Sequence, residues 1–258
     1  MRGRFGLTLY TFNPRSSYKG CLIMDHKHCD HCDLCGHHAH SVKDELICHI
    51  PYAIMSLAIS FVLLSTFHFL GQGIYPDELL SEGYHILFHS FHYLHIVVAV
   101  AGAVIAFFRQ SNRIILGSII SLVVPTIFCI MSDIMLPTLS GRLLGVPMEM
   151  HICFCEFNDA INLIAFMVMG YICGMALLYN KDSLKTFSLT FHFFHILISS
   201  MASTFYMVAH GFDCWYDSMG LLFFFLFIAI IVPCTFSDVV VPYYCARASK
   251  RRALVDGK

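Results

Sequence analysis

Six long apolar runs, separated by short polar turns, dominate the chain: Ile50 to Leu70, Tyr84 to Phe108, Ile114 to Leu136, Phe157 to Tyr179, Thr186 to Ala209 and Met219 to Val241. Each is long enough to cross the ~30 Å hydrocarbon core of a bilayer as a helix, which satisfies its own backbone hydrogen bonds. A buried helix of a soluble all-α domain would need a polar stripe facing water, and a segment such as Leu221 to Val232 has none. The pattern therefore predicts an all-α integral membrane protein with six transmembrane helices. Composition supports this, with 57% hydrophobic residues, 13% charged residues and a mean hydropathy of +0.69.

Charge sets the expected orientation, because basic residues stay on the cytoplasmic side during insertion. A cytoplasmic N-terminus collects Arg2, Arg4, Arg15, Lys19, Lys27, Lys43, Arg109, Arg113, Lys181, Lys185 and the tail from Arg247 to Lys258 on one side, and leaves only Arg142 outside. The outer loops then carry Asp77, Glu78, Glu82, Asp213 and Asp217. The expected topology is N-in/C-in. With a net charge of −1 and its basic residues explained by topology, the chain offers nothing to nucleic acid. The basic tail suits anionic headgroups, so the lipid bilayer is the expected partner. A plasma or bacterial inner membrane is expected, with an organelle membrane as the alternative; a homo-oligomer or larger membrane complex fits the same plan.

A short phrase occurs twice. Phe91-His92-Tyr93-Leu94-His95-Ile96-Val97 returns as Phe191-His192-Phe193-Phe194-His195-Ile196-Leu197, and Ser132-Asp133-Ile134-Met135-Leu136-Pro137 returns as Ser237-Asp238-Val239-Val240-Val241-Pro242. The offsets are 100 and 105 positions. Two echoes in the same order point to duplication. Three helices per unit is an odd number, so the second unit is inverted relative to the first. The expected organisation is a cytosolic Cys/His-rich tail (1–49, with Met24 a possible true start), a first three-helix repeat (50–137), an extracytoplasmic loop (138–156), a second repeat (157–242) and a basic tail (243–258). On this plan His92, His95 and Asp133 lie near the outer face, and His192, His195 and Asp238 near the inner face, as two separate metal sites.

The chemistry is that of transition-metal ligands. His85, His89, His92 and His95 project within an arc of about 120° at ~100° per residue, and residues spaced by three or four can aim two imidazoles at one ion. Polar groups cost up to a few kcal/mol each in hydrocarbon, so four on one face call for a partner, and Asp133 offers a third ligand. His68, His151, Cys153, Cys155, Glu156, Asp159 and His210 are weaker candidates expected at the same face, where Cys153, Cys155 and Cys214 are also open to disulfide pairing. The N-terminal tract holds Cys29, Cys32 and Cys35 among His26, His28, His31, His37, His38 and His40. That spacing can wrap a thiophilic ion without a fold; a ferredoxin-type cluster would require a cysteine where Ala39 stands.

These features predict a membrane transporter or exchanger of a transition-metal ion (zinc, iron, manganese or copper) rather than an enzyme, with the tail capturing or sensing the ion. Two alternatives compete. One is an intramembrane metalloenzyme, a hydrolase or oxygenase, with its metal near the outer face. The other is a membrane haem protein using histidines of the second and fifth helices as axial ligands.

Overall fold

A computed structural model describes residues 42–151, 157–179 and 181–256, and every regular element in it is helical. The helices are α1 (Val42–Gln72), α2 (Asp77–Phe108), α3 (Ile114–Ile130), α4 (Leu136–Leu143), α5 (Phe157–Tyr179), α6 (Lys181–Ala209), α7 (Met219–Thr235) and α8 (Val241–Asp256). Among the described residues, six spans are long and apolar enough to cross a membrane: His49–Gln72, Glu78–Phe108, Ile114–Leu143, Phe157–Tyr179, Phe191–Ala209 and Trp215–Thr235. The chain is a multi-pass helical membrane protein.

The helices extend further than the apolar runs. α2 begins at Asp77 and α6 at Lys181, while the helical path begun by α3 continues to Leu143. Polar flanks continue a helix at no cost once it leaves the hydrocarbon, and hydropathy alone does not register them.

α3 and α4 join through a π-helical turn, Met131–Met135, and α7 and α8 join through another, Phe236–Val240. Each turn holds one copy of the Ser-Asp motif, and the motif explains it. The proline four residues after the aspartate (Pro137, Pro242) has no N–H for the aspartate carbonyl, which breaks the regular ladder. The Leu136 N–H reaches back five residues to the Met131 carbonyl, and the Val241 N–H does the same to Phe236. Ser132 and Ser237 each donate to the carbonyl three residues earlier, both at 3.0 Å. The two Ser-Asp turns thus repeat in local geometry as well as in sequence.

α2 is the hub, packing against α3, α5 and α6, while α1 packs on α6 and α7. α2 and α6 are the most enclosed spans and α5 the least. α5 meets α2 through Gly170 and Gly174, one helical turn apart. A Cβ at Gly170 would stand 2.6 Å from the Val97 carbonyl oxygen, and one at Gly174 would stand 2.9 Å from that of Ala101. Small residues at this spacing let helices approach closely in lipid. Nearby, Tyr93 and Phe166 stack across the same pair at 5.0 Å. Ser200, Ser203 and Thr204 are buried on α6, each bonded to a carbonyl one turn back, which satisfies their hydroxyls inside the bundle.

Candidate metal centre

Asp133 is fully buried on the first π-helical turn, which turns its carboxylate toward α2 and α6. Oδ2 accepts from Nδ1 of His92 at 2.8 Å and from Nδ1 of His95 at 2.7 Å. Oδ1 is approached by the Ser132 hydroxyl at 2.8 Å and the Ser199 hydroxyl at 3.1 Å. Both oxygens are engaged, so the carboxylate anchors its neighbours. This differs from the expected role of Asp133 as a third metal ligand.

That anchoring decides the state of the imidazoles. Accepting at both Nδ1 atoms, the carboxylate fixes the proton there and leaves Nε2 of each neutral ring with its lone pair. His95 Nε2 faces His195 Nε2 at 2.8 Å, with both rings buried. Cys234 Sγ lies 3.8 Å from His95 Nε2 and 3.4 Å from the Ser199 hydroxyl. His95, His195 and Cys234 form a fully buried group whose ligand atoms lie within 4.8 Å of one another and could hold a metal ion. A carboxylate behind a ligating histidine is a recurrent way of fixing ring orientation at metal sites. Bonds of ~2.0 Å to nitrogen and ~2.3 Å to sulfur, at tetrahedral angles, imply N···N of ~3.3 Å and N···S of ~3.5 Å. An opening of about 0.5 Å between the two rings would admit an ion.

The expected separation of the histidines into two distant sites is corrected by this contact. A rise of ~1.5 Å per residue carries position 95 about 16 Å beyond Tyr84 and position 195 about 13 Å beyond Thr186, so both reach the middle of a ~30 Å core. The helical path running on to Leu143 also draws Asp133 about 15 Å in from its end. One histidine of each echo, His95 and His195, meets the other at one place. His192 lies one turn beyond His195, its ring 5.2 Å from His49 of α1.

A second cluster occupies the end of the bundle where α1 turns into α2. His85 and His89 have ring centroids 4.6 Å apart, His89 and His151 5.7 Å, His85 and His210 5.5 Å, and His151 and His210 6.0 Å. His151 Nε2 is 3.4 Å from Asp159 Oδ2, and the Tyr93 hydroxyl donates to Asp159 Oδ1 at 3.3 Å. His89, His151 and Asp159 are partly exposed, and their ligand atoms also lie within 4.8 Å of one another. His210 stacks on Tyr206 at 4.1 Å, and its Nδ1–H donates to the Tyr206 carbonyl at 2.9 Å. Burial holds the His210 imidazole below the usual histidine range, helped by His85 and His151 and opposed by that hydrogen bond. Between the two clusters, His92 Nε2 is buried without a hydrogen-bond partner.

The remaining expected ligands divide. His68 bonds to Tyr84 (3.1 Å) and Gln72 (2.7 Å), outside both clusters. Asp238 lies on the second π-helical turn, but its side chain falls outside the described residues, as do Cys153, Cys155, Glu156 and the tract holding His26, His28, Cys29, His31, Cys32, Cys35, His37, His38 and His40. Cys214, considered above for a disulfide, is a free thiol.

Sequence reasoning missed Cys234 and His49. Cys234 had a signal, since Cys129-x-x-Ser132-Asp133 and Cys234-x-x-Ser237-Asp238 extend the echo by three positions. Cys129 is also buried beside His95.

Comparison with protein-family models, with curated proteins and with solved structures finds no match to this chain.

Proposed function

We propose that the chain is a transporter of a transition-metal ion, with a single enclosed site to which both halves contribute. The observation that carries this is the 2.8 Å approach of His95 Nε2 to His195 Nε2, one imidazole from each echo, beside Cys234. A partly exposed group (His89, His151, Asp159) stands on one side of it, and the His192 and His49 rings stand on the other. An ion captured at the first group would pass His92 to the enclosed site and leave past His192. The route follows α2 for about 15 Å from His85 to His95. Inverted three-helix repeats favour such a plan, because elements at the middle of each unit share one depth and can rock about a common site. The distribution of basic residues supports cytoplasmic termini, where the tail from His26 to His40 would take up or report the ion.

The test is flux of zinc, iron(II), manganese and copper(I) into proteoliposomes holding the full chain. His95→Ala and His195→Ala should each lower flux at least tenfold while leaving insertion intact. Undiminished flux in either variant would sink the proposal.

One observation favours a second reading. Two histidines and a carboxylate at the partly exposed group match the donor set of hydrolytic zinc and non-haem iron centres, so an intramembrane metalloenzyme would work there. It would turn over substrate without flux and would depend on His89 and Asp159 rather than His95. A haem bridging the central rings is disfavoured, since axial nitrogens about 4 Å apart do not fit a 2.8 Å separation.

A further inference from the structure

The enclosed site carries information about its ion beyond the fact that an ion fits, because its donors and their charges are fixed by the surrounding hydrogen bonds. We infer that it selects a divalent, thiophilic ion, zinc(II) above all, over manganese(II) and over copper(I). The inference rests on the metal-site reading of His95, His195 and Cys234.

Donor type excludes hard ions. The carboxylate beside the site is Asp133, which faces the far nitrogen of His95 and has its oxygens already engaged by His92, His95 and Ser199. What faces the ion is imidazole nitrogen and sulfur, with a second buried cysteine, Cys129, beside His95. Manganese and magnesium prefer oxygen, whereas nitrogen with thiolate suits zinc. Cys129 and Cys234 occupy equivalent positions of the two echoes, and Cys234 is the one that stands in the group with His95 and His195.

Charge separates zinc from copper(I). Three donors, His92, His95 and Ser199, converge on the Asp133 oxygens, an arrangement that suits the ionised carboxylate. On binding, the Cys234 S–H bond gives way to a metal–sulfur bond and the proton leaves. One carboxylate and one thiolate then balance a divalent ion, whose ligation requires a lone pair on each ligating imidazole. Copper(I) in the same site leaves one uncompensated negative charge among side chains that are themselves buried, where an unbalanced charge is costly. Cys234 and Asp133 therefore act together, one as ligand and one as counter-charge.

The experiment uses the full-length chain with Cys29, Cys32 and Cys35 replaced by Ser, so that tail sulfur does not contribute. Purified protein is loaded with zinc(II), and sulfur is sought in the zinc shell at ~2.3 Å by X-ray absorption. Competition with manganese(II) and with buffered copper(I) is measured on the same sample. Expected are a sulfur shell that Cys234→Ser removes and zinc preferred over manganese by at least a hundredfold. Asp133→Asn should shift the zinc-to-copper(I) preference at least tenfold toward copper(I). A purely nitrogen and oxygen shell, or manganese or copper(I) binding as tightly as zinc, overturns the inference without depending on how any variant folds. Sulfur-bound zinc in a chain without flux would overturn the transport proposal and leave this inference standing. Flux of manganese indifferent to Cys234→Ser would do the reverse.

Discussion

Two imidazole clusters share α2, drawing on successive turns of it (His85 and His89, then His92 and His95), and they are built differently. At the end of the bundle, His85, His89, His151 and His210 touch mainly by ring contacts, with one long ion pair from His151 to Asp159 at 3.4 Å. In the middle, His92 and His95 are held by hydrogen bonds of 2.8 and 2.7 Å to one buried carboxylate. His85, His89 and His151 of the first group can rearrange around an arriving ion because ring contacts and one long ion pair are what hold them, while His210 is fixed on Tyr206. The second is organised in advance, and its members cannot be removed singly without stranding a buried charge. Histidine count is nearly the same in both. What differs is the presence of a carboxylate at the right depth, which the π-helical turn supplies.

Substitutions can break that contrast, and the largest effect is expected at its anchor. His95→Ala removes a buried ring and a hydrogen bond to the Asp133 carboxylate and should cost about 3–5 kcal/mol of stability, read as a fall in midpoint in a detergent thermal-shift assay. The matching change at the end cluster, His89→Ala, should cost less than about 1 kcal/mol while still weakening metal uptake. Equal losses in the two variants would show the clusters to be alike after all. Next in size, Gly174→Val forces a side chain against Val104 and the Ala101 carbonyl and should cost about 1–3 kcal/mol; a neutral result would mean that α5 does not fix α2. Ser199→Ala removes one donor from Asp133, and hydrogen bonds to charged groups contribute about 1.5–3 kcal/mol. It should also alter metal binding at Cys234, whose thiol lies 3.4 Å from that hydroxyl.

The smallest effect concerns pH. The fold favours neutral His210, so the unfolded chain binds the extra proton first. Stability from this residue is complete above the ordinary histidine range and is lost as pH falls below it. His210→Phe keeps the stack on Tyr206 and should flatten that acid-side loss, measured as midpoint against pH. An unchanged slope would remove His210 from the explanation.

Much of the fold was legible because membrane helices are specified by composition over some twenty positions, a signal that local detail does not disturb. The convergence of the echoes was not legible to a reading that assigned depth by which half of a helix a residue fell in. The rise per residue already placed His95 and His195 near mid-membrane. Their pairing required knowing that α2 and α6 are neighbours, which two echoes alone do not state. Asp133 was visible as chemistry but not as an anchor, since that role depends on four partners drawn from three different elements. Cys234 was legible and overlooked: cysteine packs as a small apolar residue and is easily lost in a greasy helix, yet it stands in register with Cys129. The π-helical turns could also have been inferred from the proline that follows each Ser-Asp pair.

The central claim is that His95 and His195 hold one ion between them. Metal per chain, measured by elemental analysis of purified full-length protein, tests it in a double-substitution cycle. His95→Ala and His195→Ala should each remove the same single equivalent of metal relative to the parent, and the double variant should remove no more than either. Loss of two equivalents in the double variant, one for each histidine, would mean two independent sites and would contradict the account.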